Sequence, residues 1–264
     1  MSRMPTLFVS HGAPTFALQP GCSGARFAEL GRTLPKPAAV LVISPHWMTP
    51  EPRVTIAPRP STLHDFGGFD PALYEIRYPA AGHPAMARRA AELLCAAGRA
   101  TRGDPERGFD HGAWVPLLHL YPDADVPLIQ VSQPTRLDGP SAWEFGRALA
   151  PLADDGVLII GSGSLTHNLY ELGSSHAPRE SYAAEFAEWV RDTVHSGDAE
   201  RLQQVMTLAP HARRAHPTAE HLWPLLIAAG AAGTPLAGDW IEGGIRYGVL
   251  SMDSCVFGLR GMAH

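Results

Sequence analysis

Three apolar runs in the chain each lead, through small residues, to a histidine. Thr6, Leu7, Phe8, Val9 and Ser10 precede His11-Gly-Ala-Pro14. Val40, Leu41, Val42 and Ile43 precede Ser44-Pro45-His46-Trp47. Val157, Leu158, Ile159 and Ile160 precede Gly161-Ser-Gly-Ser-Leu-Thr-His167. Short continuous runs rich in β-branched residues read as strands buried on both faces. Pro45 cannot donate to a ladder, so the second strand is expected to stop there. A histidine straight after such a strand lies at the carboxyl edge of a sheet, where open α/β sheets bind ligands.

Between these runs the periodicity changes to that of helices. Helices are expected over residues 24–33, 84–97, 113–120, 141–152, 181–195 and 198–208. A further one starts at Ala219, capped by Thr218, with His221 in its first turn. Tyr182, Phe186, Trp189, Val190 and Val194 fall on one helical stripe and read as core. Further strands are expected over 53–57, 126–131 and 245–257. Residues 58–81 carry no clear period. A loop this long in a compact domain is often functional, and its aromatic residues and Arg77 suit a lid or substrate wall. No repeat, linker or low-complexity segment divides the chain, so residues 1–264 read as one α/β domain.

Composition narrows the class. A net charge of -5 without charge blocks points away from nucleic acid and anionic membranes. No apolar run is long enough to span a bilayer. Cys22, Cys95 and Cys255 are odd in number and far apart, which suits a reducing compartment rather than a disulfide framework or zinc ribbon. With no signal-peptide pattern at the N-terminus, the expected location is cytoplasmic.

Thirteen histidines make position the deciding criterion. His11, His46 and His167 share the strand-end context, and His221 can reach back to the sheet edge from a helix start. Three neutral imidazoles can hold a divalent metal and leave positions open. Spacing alone does not separate His221 from His216, nor a ligand from a base. His83, His119, His176, His195, His211 and His264 have contexts that suit packing or surface.

Taken in order, the motifs form a set: Ser10-His11-Gly-Ala-Pro14, Ser44-Pro-His46-Trp47, Asp65-Phe-Gly-Gly-Phe69, Leu73-Tyr-Glu-Ile-Arg-Tyr-Pro79, Asp110-His111-Gly-Ala-Trp114, Gly161-Ser-Gly-Ser-Leu-Thr-His167-Asn168 and His216-Pro-Thr-Ala-Glu-His221. The chain thereby resembles the DODA branch of the LigB-like, class III extradiol ring-cleavage dioxygenases, over nearly its whole length. The resemblance implies a LigB-like α/β fold with a central mixed sheet flanked by helices. It implies a mononuclear non-haem iron(II) centre, Fe2+ held by His11, His46 and His221, with His221 where other LigB-like enzymes have a glutamate. Zn2+ also occupies such sites, with His167 then a fourth ligand. It points to His167 as acid/base and to His111 as a substrate-contacting or supporting histidine.

The expected reaction inserts O2 into a catechol, DOPA-like or related. Two adjacent ring oxygens can chelate one metal, and an imidazole of near-neutral pKa suits the proton traffic. Arg77 and Tyr78 are lesser candidates for substrate contact. A zinc-dependent hydrolase on the same scaffold and a non-catalytic binding protein remain as alternatives, and the protein is expected as a monomer or homodimer.

Overall fold

The computed structural model describes residues 3–174 and 177–259; His176 and His264 lie outside them. Among the described residues there are ten strands: β1 Thr6–Ser10, β2 Ala39–Thr49, β3 Arg53–Thr55, β4 Arg102–Asp104, β5 Leu128–Pro134, β6 Val157–Gly163, β7 Gly238–Ile241, β8 Ile245–Arg246, β9 Leu250–Ser251 and β10 Ser254–Phe257. Eight form one mixed sheet in the order β4-β3-β5-β2-β6-β1-β10-β7, and β8 and β9 pair separately.

The apolar runs form the centre of this sheet. β5, β2, β6 and β1 are mutually parallel neighbours, while β10 pairs antiparallel with β1. Every residue of β1, β5 and β6 is buried, as strands covered on both faces should be. Thr6 lies opposite Ile159 and Ser10 opposite Gly163, while Ile43 lies opposite Gly161. The carboxyl ends of β1 and β6, at His11 and just before Ser164, therefore come together beside the β2 residues that follow Ser44, His46 among them.

Alternation along β6 shows how the helices cover it. A Cβ on Gly161 would lie 1.9 Å from the Pro224 carbonyl oxygen, and one on Gly163 would lie 2.2 Å from that of His221. These two residues face the Trp223–Ala232 helix. Ser162, between them, points to the other face and donates to the Gly112 carbonyl of the His111–Leu120 helix. Only glycine permits this approach of helix to strand.

Several boundaries differ from the expected ones. β2 does not stop at Pro45. Its register with β5 jumps between Ser44 and Met48, and Thr49 still pairs with Pro134. Pro45, His46 and Trp47 thus occupy a bulge, where no ladder donor is needed. The segment 58–81 contains a short helix, Ala72–Glu75, and a bridge from Thr62 to Phe109. Residues 198–208 divide at Gln204 into two short helices. The last long helix begins at Trp223, so His221 sits in the turn before it, and Thr218 donates to the Glu220 carboxylate instead of capping. β4 and β7 are sheet edges that carry no apolar signature, and the pattern gave no sign of either.

Candidate metal centre

Each histidine at the sheet edge is aimed by a partner that can be traced to the sequence. His11 continues β1, its backbone N–H donating to Gly163 O at 2.9 Å. Its Nδ1 lies 3.0 Å from Ser162 Oγ. The Ser162 hydroxyl proton is already given to Gly112 O, so Ser162 accepts from His11 Nδ1–H, and the lone pair of His11 is on Nε2. The Gly112 carbonyl is open to Ser162 because its usual helical partner would be residue 116, and Pro116 has no N–H.

His221 is held from two sides. Ser164 N–H donates to its carbonyl at 2.9 Å, and its Nδ1 lies 3.1 Å from Glu220 Oε1. That carboxylate fixes the proton on Nδ1 and leaves Nε2 as the acceptor. His46 is set in the β2 bulge, and a Cβ on Gly112 would lie 3.0 Å from its Cδ2, so glycine makes room for the ring. Its carbonyl accepts from Arg107 at 3.1 Å.

These three side chains converge. His46 Nε2 lies 3.1 Å from His11 Nε2, and the ligating atoms of His11, His46 and His221 all lie within 4.8 Å of one another. Burial, followed by neighbouring imidazoles, holds His11 and His221 well below the usual histidine pKa. Burial and His111 push His46 down to about 3, against the pull of Asp65. The centre therefore presents neutral nitrogen donors at pH 7. Two nitrogen lone pairs this close repel unless a proton or cation lies between them. Three imidazoles, two buried and one half-buried, with no carboxylate among them suit a borderline divalent ion such as iron or zinc. The residues present fit such an ion.

His111 and His167 stand on either side of this trio. His111, at the start of the His111–Leu120 helix, has Nδ1 3.0 Å from Asp65 Oδ2, and its backbone N–H donates to Asp65 Oδ1 at 2.9 Å. Burial pushes the Asp65 carboxyl up, but the bonds and charge of His111 outweigh it and hold it at about 2. His111 groups with His46 and Asp65. His167 stacks on His221 with ring centroids 3.5 Å apart and planes 11° apart, and it groups with His221 and Glu220 rather than with His11 and His46. Burial lowers its pKa against the opposing charge of Glu220.

All five histidines line one cavity of about 480 Å³. Phe66 and Phe69 from the 58–81 segment form part of its wall. Arg77 and Tyr78 do not line it. Arg77 turns back to the carbonyls of Tyr74 and Ile76, and Tyr78 is buried with its hydroxyl donating to Tyr121 O.

Four further described histidines lie away from the cavity. His83 accepts from Met86 N–H at a helix start, His119 lies 3.1 Å from Phe16 O, and His211 pairs with Glu185. His216 is buried with Nε2 2.9 Å from Leu165 O, which separates it from His221.

Sequence reasoning missed Ser162, Glu220 and Asp65 as supporting residues. Glu220 adjoins His221 and could have been suspected. Ser162 stands out in the sequence only as one of the small residues leading to His167.

Residues 6–258 match the family profile described as the catalytic LigB subunit of aromatic ring-opening dioxygenase. A Beta vulgaris protein named 4,5-DOPA dioxygenase extradiol is 40% identical over 256 residues, covering 96% of each chain. An Escherichia coli K12 protein of the same name is 41% identical over 236 residues, covering 87% of this chain and 86% of its own. The crystal structure of an uncharacterised Escherichia coli K12 protein superposes with a TM-score of 0.78 at 35% identity, covering 97% of this chain and all of the other.

Proposed function

The chain belongs to the LigB family of aromatic ring-opening dioxygenases, and on that premise we propose that it opens a catechol ring beside its hydroxyls at an iron(II) ion held by His11, His46 and His221. The observation that carries this reading is the convergence of three neutral imidazoles, the buried His11 and His221 and the half-buried His46, at the carboxyl edge of the parallel strands. Iron(II), when bound there, supplies the site for catechol and O2 and the redox chemistry between them.

The protein's own part is orientation and proton handling. Ser162 and Glu220 hold the Nδ1 protons of His11 and His221, so both rings keep Nε2 free and aimed inward. His167, neutral at pH 7 because burial lowers its pKa, accepts a proton from a catechol hydroxyl and later returns it to the opened product. Its stack on His221 places it beside the ligand set. His111, braced by Asp65, takes the opposite flank and contacts the substrate ring or its oxygens. Phe66 and Phe69 line the cavity and give the substrate ring an apolar wall to pack on.

The test is anaerobic loading with iron(II), followed by a catechol and then O2. Oxygen uptake with the appearance of a yellow product is expected with iron and absent with zinc. Bound iron without oxygen uptake on any catechol would overturn the reading.

A further inference from the structure

His46 is held in a different way from the other two members of the trio. His11 and His221 have their Nδ1 atoms fixed by Ser162 and Glu220. His46 Nδ1 stands 3.8 Å from Asp65 Oδ2, beyond hydrogen-bond reach. The ladder does not fix this residue either, because the register of β2 with β5 skips residues 45–47 and its pairing with β6 ends at Ile43. What aims His46 is its peptide. The N–H donates to Ser44 Oγ at 3.2 Å, and the carbonyl accepts from Arg107 Nη2 at 3.1 Å.

Arg107 comes from a loop that is itself tied down. Asp104 Oδ1 accepts from the N–H groups of Glu106 and Arg107, at 3.0 and 2.9 Å. The Phe109 N–H donates to Ser61 O, and its carbonyl accepts from Leu63 N–H, both at 2.8 Å. The Arg107 side chain is 26% exposed, so its charge is largely out of water and needs partners. The nitrogen that donates to the His46 carbonyl also lies 3.5 Å from Asp110 Oδ2, and the guanidinium lies over the Trp47 ring, 5.4 Å from its centroid. Asp110 is fully buried and locked to the sheet. It exchanges two bonds with the Gln130 amide of β5, and its Oδ1 accepts from Ala113 N–H at 3.2 Å as the cap of the His111–Leu120 helix. That helix start carries His111 and the Gly112 carbonyl, on which Ser162 and through it His11 depend.

We propose that Arg107 is a positioning residue of the metal centre: it bridges the His46 carbonyl to Asp110 and thereby sets the His46 ring against those of His11 and His111. One guanidinium nitrogen ties the bulge, which the ladder leaves unpaired, to the capped helix that holds the other side of the site. The two sides meet where His46 Nε2 lies 3.1 Å from His11 Nε2 and the ring centroids of His46 and His111 stand 3.9 Å apart. A displacement of about 1 Å at such a place costs about 10²-fold in rate. The kinetic consequence rests on the ring-opening reading above, while the effect on metal binding stands without it.

The experiment compares two variants of the full chain. Arg107→Met keeps an unbranched stem over Trp47 and removes the donor. Arg107→Lys keeps a charge and a single donor nitrogen, which is all the bridge uses. Cobalt(II) is bound in place of iron, its affinity is measured by competition with a chelator, and its d–d absorption is recorded without catechol or O2. Arg107→Met should weaken cobalt binding by about 10–100-fold and alter the absorption bands. Arg107→Lys should recover most of both losses. A methionine variant that binds cobalt with wild-type affinity and spectrum, whatever its stability to urea, would overturn the proposal, and so would a lysine variant no better than methionine. Asp110→Asn tests the far end of the bridge. Its effect on affinity should be less than additive with that of Arg107→Met, since either change breaks the same link, and full additivity would contradict the bridge. On the iron(II) enzyme, kcat for catechol should fall about 10–100-fold in Arg107→Met at saturating metal. A wild-type protein that opens no catechol but shows the cobalt pattern would contradict ring opening and support the positioning role. Full turnover in both wild type and Arg107→Met would contradict the positioning role alone.

Discussion

A histidine ligates through whichever nitrogen lacks a proton, so the groups that hold the other nitrogen decide what it can do. In this protein Ser162 does so for His11 and Glu220 for His221. Ser162→Ala and Glu220→Gln should each weaken metal binding by about 10–100-fold while leaving the fold intact. Competition with a chelator measures this, and unchanged affinity in both would remove the tautomer argument. His167→Phe should leave metal bound and lower kcat by about 10²–10⁴-fold. Undiminished turnover would end the acid/base role of His167. At this scale the sequence showed His11, His46 and His167 through one repeated context, a strand followed by small residues. Ser162 was hidden because its partner, the Gly112 carbonyl, is free only when Pro116 lies one helical turn beyond it. That relation joins two segments fifty residues apart.

Glycine and proline gave strong signals among the secondary-structure elements, but their meaning was partly misread. In the sequence Gly161 and Gly163 stand out only as small residues between the third apolar run and His167. Both are in β6, and their lack of Cβ lets the Trp223–Ala232 helix sit on the strand and carry His221 to the sheet edge. Gly161→Ala would drive a methyl into the Pro224 carbonyl, so it should destabilise the protein by about 1–3 kcal/mol and displace His221. Denaturant unfolding and metal affinity should therefore both change. A loss of stability with metal binding intact would show that the approach serves packing alone. Pro45 was read as a strand end and instead marks a bulge, because the chain rejoins the ladder at Met48. The central strands were legible because both of their faces are covered and their apolar runs are continuous. The edge strands β4 and β7 were not, since little burial is demanded of them.

For the molecule as a whole, buried neutral histidines couple stability to pH. Burial, against its bond to Leu165 O, pushes His216 down to about 4. In the unfolded chain the same imidazole takes up its proton near pH 6.5. Between these values the unfolded state binds more protons, so stability falls as pH drops from about 6.5 to 4 and this contribution levels off below. The loss assigned to His216 is on the order of 3 kcal/mol. Urea titrations of the metal-free protein at pH 7 and 5 should show it, and His216→Gln should flatten the slope. An equal slope in the variant would assign the effect to other groups. The matched profile extends over residues 6–258, and the sheet edge gathers the histidines from β1, β2 and the turn before the last helix. Extradiol ring opening is the claim on which this account depends. It is tested most directly by the product of a single turnover of the iron(II) enzyme with catechol under limiting O2. The account predicts one O2 consumed per ring opened, with a product that carries one carboxylate and one aldehyde that a hydrazine traps. A dicarboxylate without aldehyde, or a quinone with the ring intact, would contradict it.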